Sequence, residues 1–394
     1  MASFTKIKAD IIYTNVSPPA YDQVLVLDIS GKVLSIDPAG EHDPASLNFV
    51  DGILVPGFVN AHCHLELSHM KGKINTGTGL IRFVEDVVAR RDDDPEKIQD
   101  SIWNADEEMC RNGIVAVGDI CNRIDTLACK NESSLFYYSF VEMFDFWQDQ
   151  LAHQFYQQYK EVYDAIEASD GHQKSAVPHA PYSVSRQLFR LINDLNQGEK
   201  TISIHNQETA PENEMFMHKQ GPFLALFEKM GFSFAHFHAT GESSIKYALE
   251  NLDPKHRQLF VHNTQTTTGD IHAAQERFPK SYWVSCPNAN LYIENRLPDY
   301  QAFIDREAKI CLGTDSLTSN WQLSILEEMK TIAKYQSFIS FDDLIKWATI
   351  NGAEALGVDD RFGRIAPGKT PGINLIKLKG NDKLGPDSTM EKIC

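Results

Sequence analysis

The chain has 394 residues, 42% of them apolar, which is enough to bury the core of a large α/β domain. Its 37 Lys and Arg against 54 Asp and Glu give a formal charge of −17, which disfavours nucleic acid and anionic membranes as partners and suits a small neutral or cationic molecule. Seven cysteines without a CxxC pair, an N-terminus (MASFTKIKADIIYTN) without a signal-peptide core and no apolar run of membrane-spanning length predict a reduced, cytoplasmic protein.

Residues 1–55 hold KADIIYTN, QVLVLDISG and KVLSIDP between turn residues, a pattern that predicts a small antiparallel sheet. Eight β-rich apolar runs follow: 52–64, 113–120, 135–144, 175–181, 201–208, 258–264, 281–288 and 309–316. Near-continuous apolar strands are what a parallel sheet covered on both faces needs. Stretches with helical spacing lie between them, among them GLIRFVEDVVARR, EKIQDSIWNADEEMCRNG (stopped at Gly113), SVSRQLFRLINDLNQGEK and DYQAFIDREAK. The expected fold is therefore α/β, a (β/α)8 TIM-type barrel over residues 56–361 with its chemistry at the C-terminal strand ends. Residues 362–394 are again strand–turn–strand in style, and together with 1–55 they predict one small β-sandwich domain built from both termini. The long stretch 210–244 is expected to be an insertion covering the site.

His62 and His64 end the first strand of the barrel. Alternation puts residues two apart on one face, so both imidazoles can point to the barrel mouth. A lone histidine is usually a hydrogen-bonded core or surface residue. Position argues otherwise here: His179 ends the fourth strand, His205 the fifth, His262 the sixth, and Asp315 the eighth. Fourteen histidines scattered at random would rarely mark these ends. Histidines with a carboxylate suit a divalent metal that keeps an open position for water. Asp315 is suited to be a ligand or base, rather than merely a helix cap. Glu208, three residues after His205, can move protons between water and a leaving group. His262 is placed to hydrogen-bond the water or a developing alkoxide.

PGFVNAHCH, PHAPYS, a strand-five HxxE, a strand-six VHN and a strand-eight GTDSxxSN together resemble the amidohydrolase superfamily. The resemblance covers most of the chain, through GRIAPGK, and is strongest to the branch of one-metal aminohydrolases and chlorohydrolases that includes cytosine, guanine, adenosine and aminofutalosine deaminases. It implies that His62, His64, His205 and Asp315 bind one divalent metal, Zn2+ in the first place and Fe2+ as the alternative. It implies Glu208 as proton shuttle, His262 steadying the attacking hydroxide and His179 contacting substrate. SCPNANLYI resembles a CPxSN segment in which Ala289 replaces the usual serine; Asn290 remains available to substrate, and Thr314, Ser316 and Asn320 keep the strand-eight pattern.

Weaker signals add Glu66, Glu142 and Trp147 as substrate contacts near the mouth, the last by stacking with Phe144 on a flat heterocycle. A second HxH (236–238) reads as a loop with a structural or lid role, and Cys63 as packing on the opposite face. The function expected is hydrolytic deamination of an amino-substituted heterocycle: a purine, a pyrimidine or an adenine nucleoside such as an aminofutalosine-like compound. The alternatives are a chlorohydrolase or amide hydrolase using the same site, or a non-catalytic scaffold. The partner is a small molecule, with no nucleic acid or membrane, and a homo-oligomer is left open.

Overall fold

The structure is a computed structural model that describes residues 4–379 and 383–394. The first seven strands are β1 (Phe4–Lys8), β2 (Ile11–Ile12), β3 (Ala20–Tyr21), β4 (Gln23–Asp28), β5 (Val33–Pro38), β6 (Asn48–Phe49) and β7 (Ile53–Pro56). Eight further strands alternate with helices: β8 (Phe58–Cys63), β9 (Ile114–Cys121), β10 (Phe136–Met143), β11 (His172–Pro178), β12 (Thr201–Asn206), β13 (Arg257–His262), β14 (Ser281–Ser285) and β15 (Lys309–Leu312). Two more, β16 (Ile373–Lys377) and β17 (Thr389–Lys392), complete the sheets.

The strands β8 to β15 pair in chain order as two four-stranded parallel sheets. Hydrogen bonds cross both seams between them. The His205 amide donates to the His179 carbonyl at 2.9 Å, and the amides of Thr314 and Asp315 both donate to the His62 carbonyl at 3.0 Å. Residues on these strands are buried on both sides, as the near-continuous apolar runs require. Each of the eight expected strands is present.

One of them is divided. The run 52–64 is not a single strand: β7 pairs with β2 and β16, and β8 pairs with β9 in the parallel set. Gly57 makes the crossing. A Cβ there would stand 2.3 Å from a Val115 methyl and 2.7 Å from the Pro371 carbonyl, so no larger residue fits without displacing backbone. The terminal strands form two sheets, ordered β5-β4-β1-β6 and β17-β16-β7-β2-β3. Ile7, Leu25, Leu27 and Val33 of one share an apolar cluster with Leu54, Ile373 and Leu375 of the other.

Within 210–244 the chain forms two helices, Ala210–His218 and Pro222–Lys229. The second, amphipathic helix turns Phe223, Leu226 and Phe227 into a pocket at the strand ends, as expected of a covering insertion. Among the described residues, no helix is long and apolar enough to cross a membrane.

Candidate active site

His62 is the penultimate residue of β8 and fully buried. His64 lies beyond the strand, where the chain bends into a short 3-10 turn, Leu65–Met70. The two rings do meet, their Nε2 atoms 3.2 Å apart, but a bend and not strand alternation alone brings His64 there. Asp119 of β9 fixes that bend: its Oδ1 accepts the Leu65 amide at 2.7 Å, while its Oδ2 lies 2.6 Å from the buried Lys130 ammonium.

His205 Nε2 lies 3.3 Å from His64 Nε2. Its Nδ1 donates to the His179 carbonyl at 3.0 Å, which leaves the Nε2 lone pair facing the other rings. Asp315 follows β15, and its Oδ1 stands 3.5 Å from His62 Nε2 and 3.4 Å from His64 Nε2. The Ser319 hydroxyl donates to its Oδ2 at 2.5 Å. Both Asp315 and His262 have positive φ, 57° and 74°. Such backbone costs on the order of 1–3 kcal/mol per residue and concentrates at functional sites.

These separations test whether a metal fits. Four donors about 2.1 Å from one ion in tetrahedral array stand about 3.4 Å from each other. Four of the six separations, those joining His62, His64 and Asp315 to one another and His64 to His205, span 3.2 to 3.5 Å. Three imidazole nitrogens and a carboxylate oxygen are also the donor chemistry that Zn2+ takes. The set fits one divalent ion.

Protonation agrees with the geometry. Burial pushes His64 down to about 3, against the opposing pull of Asp315. Burial also takes His179 and His262 down to about 4 and His205 well below its ordinary value. Neutral rings keep a lone pair for a cation. Burial alone would raise Asp315, but the hydrogen bond from His62 and the electrostatic pull of the neighbouring imidazoles outweigh it and hold the carboxyl below the usual range. Glu208 is pushed well above that range by burial and then by Asp315.

Glu208 lies on the pocket wall with Oε1 3.7 Å from His262 Nε2. Its backbone is fixed by Glu212, whose two carboxyl oxygens accept the amides of Gln207 and Glu208 at 3.1 and 3.2 Å. His179, Glu66, Glu142 and Ser316 also line the pocket, and His179 Nδ1 meets the Ser183 hydroxyl at 2.6 Å.

Two expected substrate contacts lie elsewhere. Asn290 is behind His262, its Oδ1 2.8 Å from His262 Nδ1, and orients that ring without lining the pocket. Trp147 is turned away: its indole N–H donates to the Pro181 carbonyl at 3.0 Å, and its ring stacks on Tyr247 at 4.6 Å. Positive φ at Phe146 and Trp147 swings the chain so that Phe144 and Phe146 take the wall instead. Cys63 is packed in the core, and His236 bonds the Trp147 carbonyl at 2.6 Å, both away from the donor set. Arg91, Asn122 and Glu212 were not singled out by the sequence. Glu212 did leave a signal, an acid in the first turn of a helix four residues after Glu208.

The chain matches the Amidohydrolase family over residues 53–393, and it belongs to that family. It is 25% identical over 374 residues to a 5-methylthioadenosine/S-adenosylhomocysteine deaminase of Haloarcula marismortui, covering 90% of this chain and 80% of that one. Its fold matches the crystal structure of Helicobacter pylori aminofutalosine deaminase in complex with methylthio-coformycin, with a TM-score of 0.78 and 21% identity over 96% of this chain and 93% of that one. It also matches an adenosine deaminase from Xanthomonas campestris with bound zinc, with a TM-score of 0.72 and 21% identity over 95% and 85% of the two chains.

Proposed function

We propose that the protein hydrolytically deaminates an adenine nucleoside or close analogue, using one Zn2+ held by His62, His64, His205 and Asp315. The observation that carries this is a donor set in which four of the six mutual separations are 3.2 to 3.5 Å, with Glu208 on the same pocket wall, in a member of a family whose relatives include adenine-nucleoside deaminases. The fold reading that goes with it is a closed (β/α)8 barrel over residues 56–361, supported by the hydrogen bonds at both seams. Residues 1–55 and 362–394 are its flanking β-sandwich domain, supported by their shared apolar cluster.

The ion, when bound, supplies the Lewis acidity that makes water a nucleophile near neutral pH. The remaining work falls to side chains. Glu208, protonated when the heterocycle arrives, donates to the ring nitrogen next to the amino-bearing carbon. It then takes a proton from the attacking water and passes it to the amine. His262, held by Asn290, faces the developing alkoxide, and Asp315, its far oxygen fixed by Ser319, accepts the water's second proton and returns it to Glu208 as the oxo product forms, so both carboxyl groups end as they began. Overall a C–N bond breaks, a C–O bond forms, and water and substrate become ammonia and the oxo heterocycle. His179, Glu66, Glu142 and Ser316 hold the substrate.

Ammonia release against a panel of purine nucleosides, free purines, pyrimidines and pterins tests the proposal, with the metal content of the purified protein read alongside. Turnover confined to adenine nucleosides, with about one equivalent of zinc, is the expected result. Chloride release or amide cleavage without ammonia would replace it with the alternative reading of the same site.

A further inference from the structure

The four side chains of the donor set are not held alike. His205 is fixed from behind by the His179 carbonyl at 3.0 Å, and Asp315 by the Ser319 hydroxyl at 2.5 Å. His62 lies within β8, and its carbonyl is tied by the amides of Thr314 and Asp315. His64 has neither kind of support. Its Nε2 meets the other donors, and among the described residues no hydrogen bond reaches its Nδ1. The backbone bend after β8 is what sets its place.

That bend is braced from outside the pocket. Asp119 Oδ1 accepts the Leu65 amide at 2.7 Å, and Oδ2 stands 2.6 Å from Lys130 Nζ of the helix Leu127–Glu132. Lys130 Nζ donates to the Ser139 hydroxyl at 2.9 Å, and that hydroxyl meets His172 Nε2 at 2.7 Å. Burial and then the Lys130 charge take His172 down to about 4, so its neutral ring accepts from Ser139. The Tyr137 ring lies 5.6 Å from the same ammonium. Asp119 and Ser139 are partners across β9 and β10. Glu142, three residues beyond Ser139, lines the pocket, so alternation turns Ser139 and Asp119 to the other side of the sheet, where the helix packs.

Stability does not account for this pair. The side chains of Lys130 and Asp119 are 1% and 0% exposed, and replacing so buried an ion pair by apolar residues is often neutral or stabilising. What apolar residues cannot supply is an acceptor aimed at the Leu65 amide. Oδ1 fills that role whichever of Asp119 and Lys130 holds the proton between them, so the brace is one of geometry and not of charge state.

We infer that Lys130, through Asp119 and the Leu65 amide, is a positioning residue for His64, holding the one donor without a support of its own from a layer outside the pocket. The inference rests on the one-metal reading and adds to it a determinant of metal retention.

The test follows zinc release from the loaded protein into an excess of chromogenic chelator. Two variants are compared with the native chain: Lys130→Met, and Lys130→Met combined with Asp119→Leu, which removes both charges and the acceptor. Loss of a group one step behind a metal ligand typically costs about 10–100-fold in metal affinity. Release should be at least tenfold faster in the double variant and at least threefold faster in Lys130→Met. The visible absorption of the cobalt-loaded protein, which reports ligand geometry, should shift in both. Tyr137→Phe is the control, because it removes a buried hydrogen bond to Asp106 in the same layer and leaves Asp119 alone. It should lower the melting temperature and change neither zinc release nor the cobalt bands. Less than threefold acceleration in Lys130→Met, unmoved cobalt bands, or equal acceleration in Tyr137→Phe would overturn the inference and leave the metal site standing. Should Lys130→Met alone fail to fold, the double variant, which leaves no unpaired charge, is read by the same limits. A native protein that takes up no zinc would remove the metal reading and the inference with it.

Discussion

The floor and the outer wall of the pocket are built by different means. On the floor several polar side chains are held by a second polar group, with Asn290 behind His262, Ser319 behind Asp315 and the His179 carbonyl behind His205, while Glu212 holds the Glu208 backbone. The wall is held by contact between rings, such as the stack of Phe227 on Phe234 at 4.9 Å. Hydrogen bonds fix direction, whereas dispersion fixes volume and tolerates reshaping. The floor is therefore suited to one chemistry, and the wall to a choice among substrates.

That contrast can be broken first at the floor. His205→Ala should reduce kcat at least a thousandfold and strip zinc, read by elemental analysis; retention of a full equivalent of metal would refute the ligand assignment. Glu208→Gln should lower kcat about 10²–10⁴-fold while zinc stays bound, since it removes a proton carrier and not a donor to the ion. On the wall, Phe227→Ala should leave kcat within a fewfold and raise KM, with a stability cost of about 3 kcal/mol read by denaturant melts. A collapse of kcat there would erase the division between floor and wall.

The smallest effect concerns Glu328, buried behind the strand-eight turn, where its carboxyl accepts from the Asn288 amide and from the Asn288 and Asn320 side chains. Burial pushes it up to about 8. The folded protein therefore keeps a proton that the unfolded chain gives up near 4.5, so this contribution to stability is full below that pH and is lost as pH rises towards 8. Glu328→Gln should flatten the decline in unfolding free energy between pH 6 and pH 8.5. An unchanged slope would show that the carboxyl is already ionised in the fold.

The sequence made the floor readable because three of its polar groups lie at or just past the ends of apolar strands, and strand ends meet at one face when parallel strands follow each other. His62, His205 and Asp315 could be assembled on that ground alone. Trp147 could not be assigned the same way: an aromatic residue after a strand lines a pocket or fills a core according to two backbone angles, which composition does not report. The pairing of Arg91 with Glu66 was hidden for a related reason. It depends on how a helix end is set against the turn after His64, and 25 residues of chain separate the two side chains.

The single residue between β7 and β8 also bears on how the protein is made. Ile53–Pro56 finds its antiparallel neighbour only in Ile373–Ile376, so the segment leading directly into the His62 strand stays unpaired on one edge until some 320 further residues have left the ribosome. Assembly of the hydrolytic centre should thus be a late event in synthesis, and a chain stalled before residue 373 should carry its histidines without the framework that aligns them.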